Sequence, residues 1–304
     1  MDSQKPLGGQ EPTKEAFKVS YDKIYKFLLI IPALMLIGAI VYLGMLYSNT
    51  GDVIRRDVTL SGGTTLTIFD DKISVKELEE ALSKEFDDLV VRSLTDFSTG
   101  KQLAISLETR AEQKEIREAT EKFLGYGLTE ENSSIEFSGS SLSDSFYKQL
   151  IWAMVIAFVF MMITIFIIFR SPLPSIYVIL SAFMDIVVTI AIVDFMGLRI
   201  STAGIAAFLM LIGYSVDTDI LLTARVLKGQ ESTTNKRILS AFKTAMTLTA
   251  SSLLAFSVAY ILMISPSLKQ VFLILIIGLV VDLFATWFMN ASLLKWYNNK
   301  RGMV

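Results

Sequence analysis

The chain contains no cysteine and no histidine. The first absence excludes disulfides, thiolate chemistry and cysteine metal sites, and leaves the redox compartment open. The second removes imidazole, so any group exchanging protons near neutral pH must be a shifted carboxylate or lysine. Enzyme signatures are missing too. There is no Walker lysine motif, no metal-binding histidine set and no G-x-S-x-G elbow, and Gly8-Gly9 and Gly62-Gly63 are too short for phosphate loops. The chain is therefore read as a non-enzyme, with no cofactor expected. A net charge of −2 that yields no basic patch when divided by region gives no sign of a nucleic-acid partner.

What the sequence has is apolar length. Hydrophobic residues make up 52% of 304 and mean hydropathy is +0.53. Six apolar stretches lie at about 27–47, 149–169, 174–196, 200–222, 241–264 and 268–290, and together they hold only seven charges. Each approaches the ~20 residues that carry a helix across ~30 Å of hydrocarbon, so the chain is expected to pass through a bilayer six times. Lys and Arg in the tail and short loops divide fourteen to two between the two sides, which places both termini in the cytoplasm and residues 48–146 outside. The first stretch follows a 26-residue polar tail and reads as a retained anchor at 27–47 rather than a cleaved signal. Residues 147–297 form the five-helix region, its last helix running to about 294, and 298–304 a cytoplasmic tail.

The external segment carries 20 acidic and 11 basic residues. Alternation through Val58-Thr59-Leu60 and Leu66-Thr67-Ile68 predicts a strand interrupted by Gly62-Gly63, where the backbone can bend or be closely approached. Ser74 with Glu77 forms a capping box that starts a helix to about Phe86, and Thr109 with Glu112 repeats it before a helix ending near Gly125. Strand-like runs at Leu89–Leu94, Gln102–Leu107 and Ile135–Phe137 complete a βαββαβ order, the ferredoxin-like arrangement of an α+β domain.

Several charges stand where hydrocarbon should be. Asp185 is the twelfth residue of the third stretch, Asp282 the fifteenth of the sixth, and Asp217 and Asp219 lie in the inner half of the fourth. At roughly 2.5–3.5 kcal/mol each against lipid, these carboxylates must face protein or water, as an ion pathway or as hydrogen-bonded fasteners between helices. Asp217 and Asp219 are about 200° apart on a helix, so they cannot look the same way. Small residues, including Gly204, Gly213 and Ser215, place the fourth helix centrally in the bundle. Thr244, Thr247 and Ser251 make a polar stripe on the fifth, which suits either a hydrated path or plain packing. Lys243 either partners an aspartate or snorkels to the surface. Asp194 and Arg199 flank a short outer loop and read as interface charges.

Over most of its length the chain resembles the SecF side of the SecD/SecF protein-export family, whose fold resembles half of an RND-type transporter. The similarity is carried by Gly62-Gly63 in DVTLSGGTTLTI, by SGSSLSDSFYKQL at 138–150, by FRSPLPS at 169–175, by Asp185, and above all by GYSVDTDILL, which begins Gly213-Tyr214-Ser215. The resemblance implies a multi-pass cell-membrane subunit that pairs with a SecD-like protein beside a SecYEG-type translocon and assists the translocating polypeptide. It also implies a proton- or cation-coupling carboxylate. The bacterial form of the fourth-helix signature has its aspartate at the position of Thr218, so here the coupling group is Asp217 or Asp219. Lys243 falls where bacterial members carry arginine, and Asp282 where they carry small and hydroxylated residues, a pattern closer to the archaeal form. An independent RND-type exporter of lipids or small molecules and a non-coupling scaffold of the translocon are the alternatives.

Overall fold

The computed structural model describes residues 24–96, 99–229 and 233–301. Six helices are long and apolar enough to cross a membrane: Ile24–Thr50, Ser140–Phe169, Pro172–Phe195, Thr202–Lys228, Thr234–Leu262 and Pro266–Lys300. Their ends follow local chemistry. Gly51, at φ 76°, ends the first span with its N–H on Tyr47 O. Pro172 and Pro266 open the third and sixth, where a missing N–H costs nothing. The Ser201 and Thr233 hydroxyls cap the fourth and fifth. Two helices begin earlier than hydropathy suggested: the second span starts at Ser140 and the fifth at Thr234, because polar helical turns project beyond the apolar length. Within the sixth, Ala285–Asn290 is wound as a π-helix before the α-helix resumes at Ala291.

Between the first and second spans lies a four-stranded antiparallel sheet in the order β2-β3-β1-β4. Its strands are β1 (Gly63–Ile68), β2 (Val90–Thr95), β3 (Gln102–Thr109) and β4 (Ser133–Ser138), and its helices are α1 (Val58–Ser61), α2 (Val75–Leu82) and α3 (Gln113–Leu124). Leu66, Ile68, Ile105 and Leu107 on one sheet face pack with Leu78, Leu82 and Ile116 of α2 and α3. At about 1.5–3 kcal/mol for each fully buried aliphatic side chain, this small cluster is the principal drive for folding the domain.

Two local expectations are corrected here. Val58-Thr59-Leu60 is a one-turn helix rather than a strand, since Asp57 caps it by accepting from Thr59 N at 2.9 Å. Thr109 is not a helix cap: it ends β3, its hydroxyl donates to Asp88 Oδ1 at 2.8 Å, and Glu112 takes the cap position without a side-chain bond. The Ser74 cap does form, with Glu77 N donating to Ser74 Oγ at 3.4 Å, and Gly125 ends α3 at φ 77°.

Gly62 and Gly63 sit where the domain meets the bundle. Gly62 has φ 83° and a Cβ there would lie 2.5 Å from Ser140 Cα; one on Gly63 would strike Thr109 O and come within 2.9 Å of Arg110 Cα. The loop between the third and fourth spans is tied to the domain root. Ile200 N donates to Arg55 O at 2.7 Å, Asp57 N to Ile200 O at 3.1 Å, and Thr202 N to Thr59 Oγ1 at 3.1 Å. Arg199 reaches Asp88 O at 3.2 Å, and Gln270 of the sixth span holds Arg199 O and the Ser201 hydroxyl.

Candidate functional site

The fourth span is the hub of the bundle, packing against the second, third, fifth and sixth. Its small residues permit this, as does Gly278 on the sixth, where Leu211 occupies the space a side chain would need. Three carboxyls meet in this packing: Asp185 of the third span, Asp219 of the fourth and Asp282 of the sixth, each at most 1% exposed. The Ser215 hydroxyl donates to Asp185 Oδ2. Asp185 faces Asp282 across the helix interface. Thr286 Oγ1 lies 3.0 Å from Asp282 Oδ1 and 3.1 Å from Asp219 Oδ1, and Asn290 Nδ2 donates to that same Asp219 oxygen at 2.7 Å.

Counting hydrogens shows what this cluster can do. Thr218 Oγ1 lies 2.8 Å from the Ser215 carbonyl, which only accepts, and 3.0 Å from Asp282 Oδ2. One hydroxyl has one proton, so with the proton on the carbonyl the second bond requires a proton from Asp282. The same holds for Thr286 between Asp219 and Asp282. The partners are hydroxyls and an amide, which do not neutralise three carboxylates, so protons or a cation must balance their charge. Asp185 Oδ1, Asp219 Oδ2 and Asn290 Oδ1 have no hydrogen-bond partner and are available to accept either. No group of three or more acids close enough to hold a metal ion occurs among the described residues.

Of the residues singled out in the sequence, Asp185, Asp219, Asp282 and Ser215 come together. Asp217 does not: it is exposed on the opposite face of its helix, with Gly213 and Tyr214 on the same outward side. Lys243 is likewise exposed. The fifth-span stripe does not line the carboxyls, because Thr247 donates to Lys243 O at 3.0 Å, Ser251 to Thr247 O at 2.8 Å, and both are exposed. Asp194 is not a surface charge. It is 1% exposed, takes a 2.7 Å bond from Tyr42 Oη, and lies 3.5 Å from Arg55 Nε. Thr218, Thr286 and Asn290 were missed. Asp282, Thr286 and Asn290 recur every four residues, a one-face polar stripe that was readable in an otherwise apolar helix.

Residues 119–300 match the family model described as protein export membrane protein SecD/SecF, C-terminal. Curated relatives include the protein-export membrane protein SecF of Methanothermobacter thermautotrophicus, 35% identical over 90% of this chain and 93% of that one. The corresponding SecF of Methanolacinia petrolearia is 35% identical over 91% and 95%, and that of Pyrococcus furiosus 30% identical over 95% and 96%. Among solved structures, the crystal structure of SecDF, a translocon-associated membrane protein from Thermus thermophilus, superposes with a TM-score of 0.72 at 16% identity. The match covers 91% of this chain and 38% of that longer one.

Proposed function

The chain belongs to the SecF family of protein-export membrane proteins, and from that premise we propose that it is the SecF-type accessory subunit of a Sec translocase, coupling ion movement through its bundle to assistance of the exported polypeptide. The observation that carries the coupling is the joining of Asp185, Asp219 and Asp282 across the third, fourth and sixth spans, where gain or loss of a charge alters bonds between three helices at once. The loop bonded to Arg55, Asp57 and Asp88 gives such a rearrangement a direct connection to the domain.

The partner is a SecD-like subunit working beside a SecYEG-type channel. Asp217 and Lys243, exposed on adjacent apolar helices, support this, since a charged side chain against lipid is costly and a second half-bundle would cover it. The order β2-β3-β1-β4 supports reading the domain as ferredoxin-like, and the six-span layout supports an RND-type half. The fourteen-to-two charge asymmetry supports a cytoplasmic location for the termini and an external domain. The chain acts without chemistry of its own.

The test is isolation of the tagged protein from its native membrane in mild detergent, followed by an export assay with Asp185→Asn, Asp219→Asn and Asp282→Asn combined. Recovery of a SecD-like subunit and loss of the ion-gradient-dependent part of export are expected. A homo-oligomer without such a partner would overturn the subunit assignment, and unchanged export would overturn coupling.

A further inference from the structure

The external sheet has β2 and β4 at its edges, and the two are protected unequally. β2 carries Arg92 and breaks its register between Leu94 and Thr95, features that discourage a further strand from pairing there. β4 pairs with β1 in unbroken register from Ser133 to Ser138. Its sequence, SSIEFS, has no lysine, no proline and a single charge at Glu136, and Phe137 is 56% exposed. A regular edge of this kind is a template for another chain unless something covers it.

Six asparagines occur in the chain, and two of them head an Asn-x-Ser/Thr triplet, the acceptor pattern for N-linked sugar. Asn290-Ala291-Ser292 is fully buried in the sixth span and has no room for one. Asn132-Ser133-Ser134 is placed differently. It closes the turn that leads into β4, where Asn132 N and Ser133 N both donate to Thr129 O, and Ser134 is exposed. Asn132 Oδ1 accepts from Thr129 N at 2.7 Å, and Nδ2 donates to Gly127 O at 3.1 Å. That bond uses one of the two amide hydrogens, so a sugar can replace the other while the turn keeps its bonds. β4 then runs to the junction, where Ser138 pairs with Gly63, so six extended residues set Asn132 about 20 Å away from the start of the second span.

We propose that Asn132 is an N-glycosylation site and that the oligosaccharide it carries guards the β4 edge. The donor is a lipid-linked oligosaccharide, transferred by a membrane oligosaccharyltransferase on the outer face. Asn132 Nδ2 attacks the anomeric carbon of the first sugar. A C–N bond forms, the C–O bond to the lipid phosphate breaks, the phosphate leaves with its electron pair, and Nδ2 gives up one proton to the transferase. Nothing is oxidised or reduced. The inference rests on the external placement of residues 48–146 proposed above, and it leaves protein partners to the other faces of the domain.

The full-length protein is isolated from its native membrane and its tryptic peptides are weighed. The peptide of residues 123–148 contains Asn132 as its single asparagine. It is expected to be shifted by the mass of an oligosaccharide, which fragmentation places on Asn132. Ser134→Ala should abolish the shift and Ser134→Thr should keep it, and both change an exposed side chain that the fold does not bury. An unshifted peptide, or a sugar that survives Ser134→Ala, overturns the site; a sugar on Asn290 overturns selection by exposure. Orientation is read separately with Lys101→Cys, an exposed thiol in a chain that has no other, treated on intact cells with a membrane-impermeant maleimide. Labelling there with a bare Asn132 refutes glycosylation alone, whereas labelling only after lysis refutes the external placement and the site with it. In size-exclusion chromatography the Ser134→Ala protein is expected to shift toward larger species relative to Ser134→Thr, and identical profiles overturn the guarding role.

Discussion

A methyl group added at Gly278 would come within 3.0 Å of Leu211 Cγ and closer still to both δ-methyls. Leu211 is fully buried. Gly278→Ala is therefore expected to destabilise by about 1–3 kcal/mol through overpacking. Leu211→Ala removes the same contact from the other side and leaves a cavity, for about 2–5 kcal/mol. In the double variant the new methyl occupies part of the space vacated by the leucine, so the combined loss should fall short of the sum by about 1–3 kcal/mol. Unfolding the purified protein in detergent with increasing denaturant, followed by the fluorescence of its three tryptophans, measures all corners of the cycle. Additivity within about 0.5 kcal/mol would mean that the two residues do not share one contact.

Burial pushes Asp57 up to about 6 from an ordinary 3.8 despite its bonds to Thr59. The unfolded chain then ionises first, so the domain should lose about 3 kcal/mol as pH rises from about 4 to 6 and change little above, and Asp57→Asn should flatten that slope in a pH series of melting curves. Gly63→Ala should destabilise the domain by more than about 3 kcal/mol because backbone atoms oppose the new Cβ, whereas Gly125→Ala, with positive φ but open space around it, should cost about 1 kcal/mol; protease susceptibility compares the two. Asp217→Asn combined with Lys243→Met should leave thermal stability unchanged but reduce recovery of the SecD-like subunit in a pull-down, and undiminished recovery would place that interface on another face.

The parts legible in the sequence were those governed by one-dimensional periodicity. Hydrophobic length located six spans, and Ser74 with Glu77 and Gly125 located helix ends, because these signals act within a few residues. Val58-Thr59-Leu60 was misread because three alternating residues fit a strand and a helical turn equally well; the deciding signals were the flanking Asp57 cap and Gly62. Thr109 misled because Asp88, 21 residues away, claims its hydroxyl. At the candidate site, the cost of a charge in hydrocarbon identified Asp185, Asp219 and Asp282. It could not sort Asp217 from Asp219, since that depends on which face of the fourth helix meets its neighbours. Thr218, Thr286 and Asn290 carry no charge and gave no energetic alarm.

The junction at Ile200 is built from main-chain atoms: the Arg55 carbonyl, the Ile200 amide and carbonyl, and the Asp57 amide. Any amino acid but proline can supply the amides, so these particular bonds do not depend on side-chain identity, although Asp57 also caps its helix and Ile200 is buried in the core. They do depend on chain length. One residue inserted between Phe195 and Ser201, or between Thr50 and Asp57, would shift the register and set the domain at a different angle on the same six helices. In this family the spacing of the junction should accordingly be preserved along with its capping and buried side chains. A chimera that exchanges the external domain between relatives should keep both segment lengths from the same parent.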